Sequence, residues 1–198
     1  MITPKRVSVK FYANIPETVD ITAFKPVFQR WIQDRTLDNM LIDVADYKHM
    51  HEGPGVMLIA YEGDYALDLR DGKPGIQYTR KREFGADLME TLTLSLKLAL
   101  SATLQIEKEE TLSGVEFDYS TIKIEFLDRL NYPNTPESLV AVKEAIGMHT
   151  QDLYAGAVTI DSAHADPREA FALLIKAEAT PDGETLLERL TGVNQPAS

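Results

Sequence analysis

The chain contains no cysteine. That removes a disulfide framework, a thiol nucleophile and cysteine-ligated zinc or iron–sulfur centres, and leaves the redox compartment open. No uninterrupted run of 18 apolar residues occurs, so a spanning helix is not expected. The first residues, Met1-Ile2-Thr3-Pro4-Lys5-Arg6, hold no apolar signal core, and a cytoplasmic location is the expectation. Cations are also scarce. Lysine and arginine total 20 against 31 aspartates and glutamates, a formal charge of −11. A field of that sign repels phosphate backbones unless the basic groups are segregated. Arg80-Lys81-Arg82 is the only dense basic run, and it has no interleaved aromatics. It reads as a solvated hairpin end, so nucleic acid is not expected as a partner, and without a spanning run neither is a membrane.

Catalytic signatures are missing as well. Gly53-Pro54-Gly55 leads into a strand-like apolar run, without the lysine and helix that a phosphate loop requires. No G-x-S-x-G occurs, and Ser162 with His164 lacks a third group to complete a hydrolase constellation.

What is present points to a globular α+β chain. Hydrophobic content of 44% over 198 residues suffices for a substantial core. The stretch from Ser8 to Thr18 alternates apolar and polar residues and enters an Asn14-x-Pro16-x-Thr18 turn. A second copy runs from Lys123 through Asn131-x-Pro133-x-Thr135. Met57–Glu62 is echoed by Leu173–Glu178, and Ile42-Asp43 by Ile160-Asp161. These echoes predict an internally duplicated fold of two β-α-β-β-α units, each ferredoxin-like in topology. The expected boundaries are 1–112 and 113–198, with an extra β-hairpin inserted at about 63–83 in the first unit.

Within that frame, Asp20 is the expected N-cap of a helix whose stripe is Phe24, Val27, Phe28 and Trp31. Residues Leu92 to Ile106 are ambiguous, because every even position is apolar. Leucine and alanine dominate that set, the span exceeds ordinary strands, and Asp87 with Glu90 forms a capping box. A helix is therefore predicted. Thr135-Pro136 and Thr180-Pro181 are expected helix starts, and Val115, Phe117 and Tyr119 are expected to complete the first sheet. The predicted core includes Phe11, Phe28, Trp31, Leu58, Leu96, Ile124, Phe126, Ile146, Leu173 and Ile175.

There are four histidines. His149 reads as a group satisfying carbonyls at a helix C-terminus. Asp46, His49 and His51 cluster in the first inter-strand loop, and His164 lies between Asp161 and Asp166 in the corresponding later loop. Imidazoles with carboxylates suit zinc, iron or manganese, and these four residues are the candidate metal ligands. The His-x-His spacing puts both rings on one side only in an extended segment. With no matched nucleophile, base and stabiliser, the leading expectation is a soluble, non-catalytic binding or assembly module. It would act as a homo-oligomer or with a protein partner and carry no cofactor. The alternative is a small metal-dependent hydrolase or oxidoreductase built on the histidine and aspartate loops, with a divalent metal as its cofactor.

Overall fold

The computed structural model describes residues 2–47, 53–82 and 87–192. Its elements run β1 (Val7–Asn14), α1 (Phe24–Asp34), β2 (Leu41–Asp46), β3 (Val56–Ala60), β4 (Gly63–Asp68), β5 (Gly75–Arg80) and α2 (Leu88–Glu107). They continue with β6 (Glu116–Phe126), α3 (Pro136–Tyr154), β7 (Val158–Ser162), β8 (Phe171–Ala177) and α4 (Gly183–Gly192). The strands form one eight-stranded antiparallel sheet in the order β2-β3-β4-β5-β1-β6-β8-β7.

Alternation along each strand assigns its faces. Val9 stands opposite Tyr78 on one side and Ile124 on the other; Ile124 in turn faces Leu173, and Tyr78 faces Tyr65. These residues join the buried residues of all four helices in a single apolar cluster, so the helices share one face of the sheet. All ten predicted core residues are buried in it. The intervening residues, among them Ser8, Lys10, Gln77, Lys123 and Glu125, lie on the other face.

Helix α2 owes its burial to its position. It packs on β1 and β5 while α4 packs against it, so leucines and alanines on several sides are covered. Asp87 caps it by accepting from the Glu90 N–H at 2.9 Å. Thr135 likewise caps α3, with Pro136 in its first turn. At α4 the cap is Asp182, which accepts from the Thr185 N–H at 2.7 Å, and not the expected Thr180. Asp20 caps a short 3-10 turn, Ile21–Ala23, that leads into α1.

Residues 116–126 form one strand where two were expected. A register shift between Phe11 and Tyr12 lets β1 pair first with Ile122 and then with Asp118, so β6 bends without breaking. The hairpin of β4 and β5 enters between β3 and β1. Gly75 stands where β5 meets β1, and a Cβ there would lie 2.3 Å from the Phe11 carbonyl oxygen. Only glycine lets the hairpin approach so closely.

Candidate functional site

The sheet face opposite the helices carries a chain of charged side chains on its central strands. Lys10 Nζ donates to Asp68 Oδ2 at 2.7 Å, and both side chains are only 3% exposed. Asp68 Oδ1 accepts from Arg70 Nε at 2.7 Å. Arg70 Nη2 donates to Gln77 Oε1 at 2.7 Å and lies 3.9 Å from Glu125 Oε2. Lys123 stands directly across from Lys10 in the β1–β6 ladder, and both Lys123 and Glu125 are buried. The Lys10 ammonium also sits 5.3 Å from the centre of the Tyr12 ring.

Strand periodicity explains the assembly. Lys10, Gln77, Lys123 and Glu125 occupy the non-helix face of β1, β5 and β6, and Asp68 ends β4 beside them. Long side chains on neighbouring strands then shield one another from water. Burial is the largest influence on Lys10 and lowers its pKa; Asp68 opposes this, and Lys123 and Arg70 add to the lowering. For Asp68, burial alone would raise the pKa. The Lys10 ammonium and Arg70 guanidinium together outweigh it and hold the carboxyl below its usual value. An apolar pair of similar volume is often no less stable than a buried ion pair, so packing does not require charge here.

The candidate metal ligands fall elsewhere. Asp46 ends β2, one outer strand of the sheet. His164 follows β7, the other outer strand, with six strands between them. The structure therefore does not bring these two residues together. His49 and His51 lie outside the described residues. His164 Nδ1 is 2.9 Å from the Ala170 carbonyl oxygen. A carbonyl only accepts, so Nδ1 carries the proton. Among the described residues no group of three or more histidines and carboxylates is arranged to hold a metal. His149 lies inside α3 and not at its end, where Ala155 closes the helix in a left-handed conformation. Its Nε2 is 3.3 Å from Thr93 Oγ1 of α2, and burial lowers its pKa against the opposing charge of Asp152.

The charged chain leaves little trace in the sequence, for a clear reason. Lys10 and Asp68 are 58 residues apart, and each reads locally as the wet side of a half-buried strand. The one available signal was a lysine between apolar residues in both β1 and β6.

No helix among the described residues is long and apolar enough to cross a membrane. Comparison with models of protein families, with curated proteins and with solved structures finds no match to this chain.

Proposed function

We propose that the chain is a non-catalytic binding module whose recognition surface is the helix-free face of the sheet. The observation that carries this reading is the facing pair Lys10 and Lys123, with Arg70 close by, in a protein of charge −11. Lys10, Lys123 and Arg70 stand together with Asp68 and Glu125, so an anionic group on a ligand meets several cationic donors at once. The chemistry suits a carboxylate or phosphate on a small molecule, held by charge-assisted hydrogen bonds.

Thermal unfolding in the presence of a panel of carboxylates and phosphorylated compounds tests this. A ligand at a hundred times its Kd adds about 2.7 kcal/mol, a shift of several degrees in Tm. At least one compound class is expected to raise the Tm of the wild type and to lose that effect in Lys123→Met. A panel without any shift, or a shift unchanged in the variant, would reject the face as the binding surface.

The same reading includes an ancestral duplication into ferredoxin-like halves. The strand order supports it: β2-β3 and β1 flank the β4–β5 hairpin on one side, and β6-β8-β7 mirrors them on the other. Helices α1 and α3 also both end on a non-glycine residue with positive φ, Arg35 and Ala155. Failure of the segments from β1 to α1 and from β6 to α3 to superpose would dispose of the idea.

A further inference from the structure

The helix side of the sheet is not wholly apolar. Tyr65 of β4 and Tyr78 of β5 are cross-strand neighbours there, fully buried, with ring centres 4.9 Å apart. The Tyr65 hydroxyl donates to Asn39 Oδ1 at 2.7 Å. The Tyr78 hydroxyl is buried with no hydrogen-bond partner, and so is Oε2 of Glu62, in the turn between β3 and β4. Gly63 makes room for that hydroxyl, since a Cβ there would lie 2.6 Å from the Tyr78 oxygen. A buried polar atom left unpaired is costly, and native proteins hold few of them. Here a donor and an acceptor stand unpaired in one place.

A cavity leads to that place. It has a volume of about 570 Å³, lies between the end of α1 and the start of β2, and is lined by Asn39 together with Ile32, Leu37 and Leu41. The Asn39 side chain, which takes the Tyr65 hydroxyl, also stands close enough to Tyr78 to act on its hydroxyl. One amide therefore borders the cavity and both phenols. The volume is that of an ordinary small-molecule site.

The chemistry of the walls selects the occupant. Ile32, Leu37, Met40 and Leu41 offer an apolar lining for a hydrocarbon body. At the polar end the Glu62 carboxylate only accepts. Burial pushes the Tyr78 phenol up to about 12, so it is a donor at neutral pH. A hydroxyl group meets both demands with one atom, donating to Glu62 and accepting from Tyr78. Charged heads suit the place less well. Arg35 and Arg80 are matched by Asp38, Glu62 and Glu90, and Asp64 is held by Lys81, so no field of one sign gathers an ion. An ion would also lose its hydration on entering.

We infer that this cavity is a binding site for a neutral amphipathic molecule, whose apolar body fills the mouth and whose hydroxyl lies between Tyr78 and Glu62. The site is on the opposite side of the sheet from Lys10 and Lys123 and does not rest on the ligand suggested for them.

NMR titration of the isotope-labelled protein with n-octanol and with para-butylphenol tests it; the two share the hydroxyl and differ in the body. At least one is expected to bind with a Kd below about 1 mM. The amides of residues 37–41 and 62–63 should shift, and the tighter compound shows whether a chain or a ring fits the mouth. Octanoate and n-octylamine, with an apolar chain but a charged head, should bind at least about tenfold more weakly than octanol. Tyr78→Phe keeps the ring and removes only the hydroxyl. The free variant should melt no lower than the wild type, while its Kd for the bound compound rises roughly fivefold. No binding of either compound at about 1 mM would overturn the proposal and leave water as the partner of the two groups. So would a Kd that Tyr78→Phe leaves unchanged, a charged head that binds as tightly as octanol, or shifts centred on β1 and β6.

Discussion

Replacing Asp68 with alanine is expected to cost about 3–5 kcal/mol of stability, because it strands a buried ammonium without its counter-charge. Lys10 is 3% exposed and cannot turn to water without disturbing β1, which pairs on both sides. Arg70 would tolerate the change better, since it is 36% exposed and keeps its bond to Gln77. The informative comparison is the double variant Lys10→Met/Asp68→Leu. With both charges replaced by apolar groups of similar size, most of the loss should disappear, leaving stability within about 1 kcal/mol of wild type or above it. Urea unfolding of the three proteins measures this directly. A loss below about 1 kcal/mol in Asp68→Ala would mean that water reaches Lys10 after all.

The same pair predicts an acid limb. The folded pKa of Asp68 is lowered, so its contribution is complete above the carboxyl value of the unfolded chain, about 3.9, and is lost as pH falls through the lowered folded value. The double variant lacks that contribution and should lose less stability between neutral pH and that acid range than the wild type does.

Trp31→Ala is expected to cost at least as much, about 3–5 kcal/mol from lost packing alone. Trp31 is 1% exposed, with its ring 5.3 Å from that of Phe28. Its indole Nε1 donates to Glu109 Oε1 at 2.6 Å, which ties α1 to the segment just after α2. A hydrogen bond to a charged group adds roughly 1.5–3 kcal/mol. Trp31→Phe separates the two contributions, since it retains most of the apolar contact and removes the donor. Arg30, which also bonds Glu109, keeps that carboxylate partnered in either variant. The alanine variant should therefore lose clearly more than the phenylalanine one in chemical denaturation. Equal losses would show that the hydrogen bond and not the packing holds α1 in place. Helix α1 covers β2 and β3, so the damage should appear first as faster amide exchange in those strands.

The elements of this protein were legible because they are set by near neighbours. The stripe Phe24, Val27, Phe28 and Trp31, the caps at Asp87 and Thr135, and the alternation through Val7, Val9 and Phe11 all report on interactions within a few residues. Those signals were enough for the α+β class and the core. The N-cap of α4 lies two positions beyond the expected Thr180 because Thr180, Pro181 and Asp182 offer competing starts, and the better acceptor prevails. His149 lies inside α3 and not at its end because the helix runs a turn beyond it, carried by the packing of Leu153 and Tyr154.

The charged chain belongs to a different order of information. Which strand lies beside which depends on contacts dozens of residues apart, and the entropy of closing such loops varies too slowly with length for local sequence to choose a partner. The sequence by itself determined that Lys10 and Lys123 would sit on the polar side of their strands, because alternation does that whatever the neighbours are. It determined as well that a hairpin would form near 71–75, because glycine and proline there leave the backbone little else. Only the tertiary structure decided that this hairpin enters beside β1, which brings Asp68 and Arg70 to Lys10. Only the tertiary structure placed the start of β1 between the ends of β5 and β6, because these three strands are consecutive in the sheet and distant in the chain.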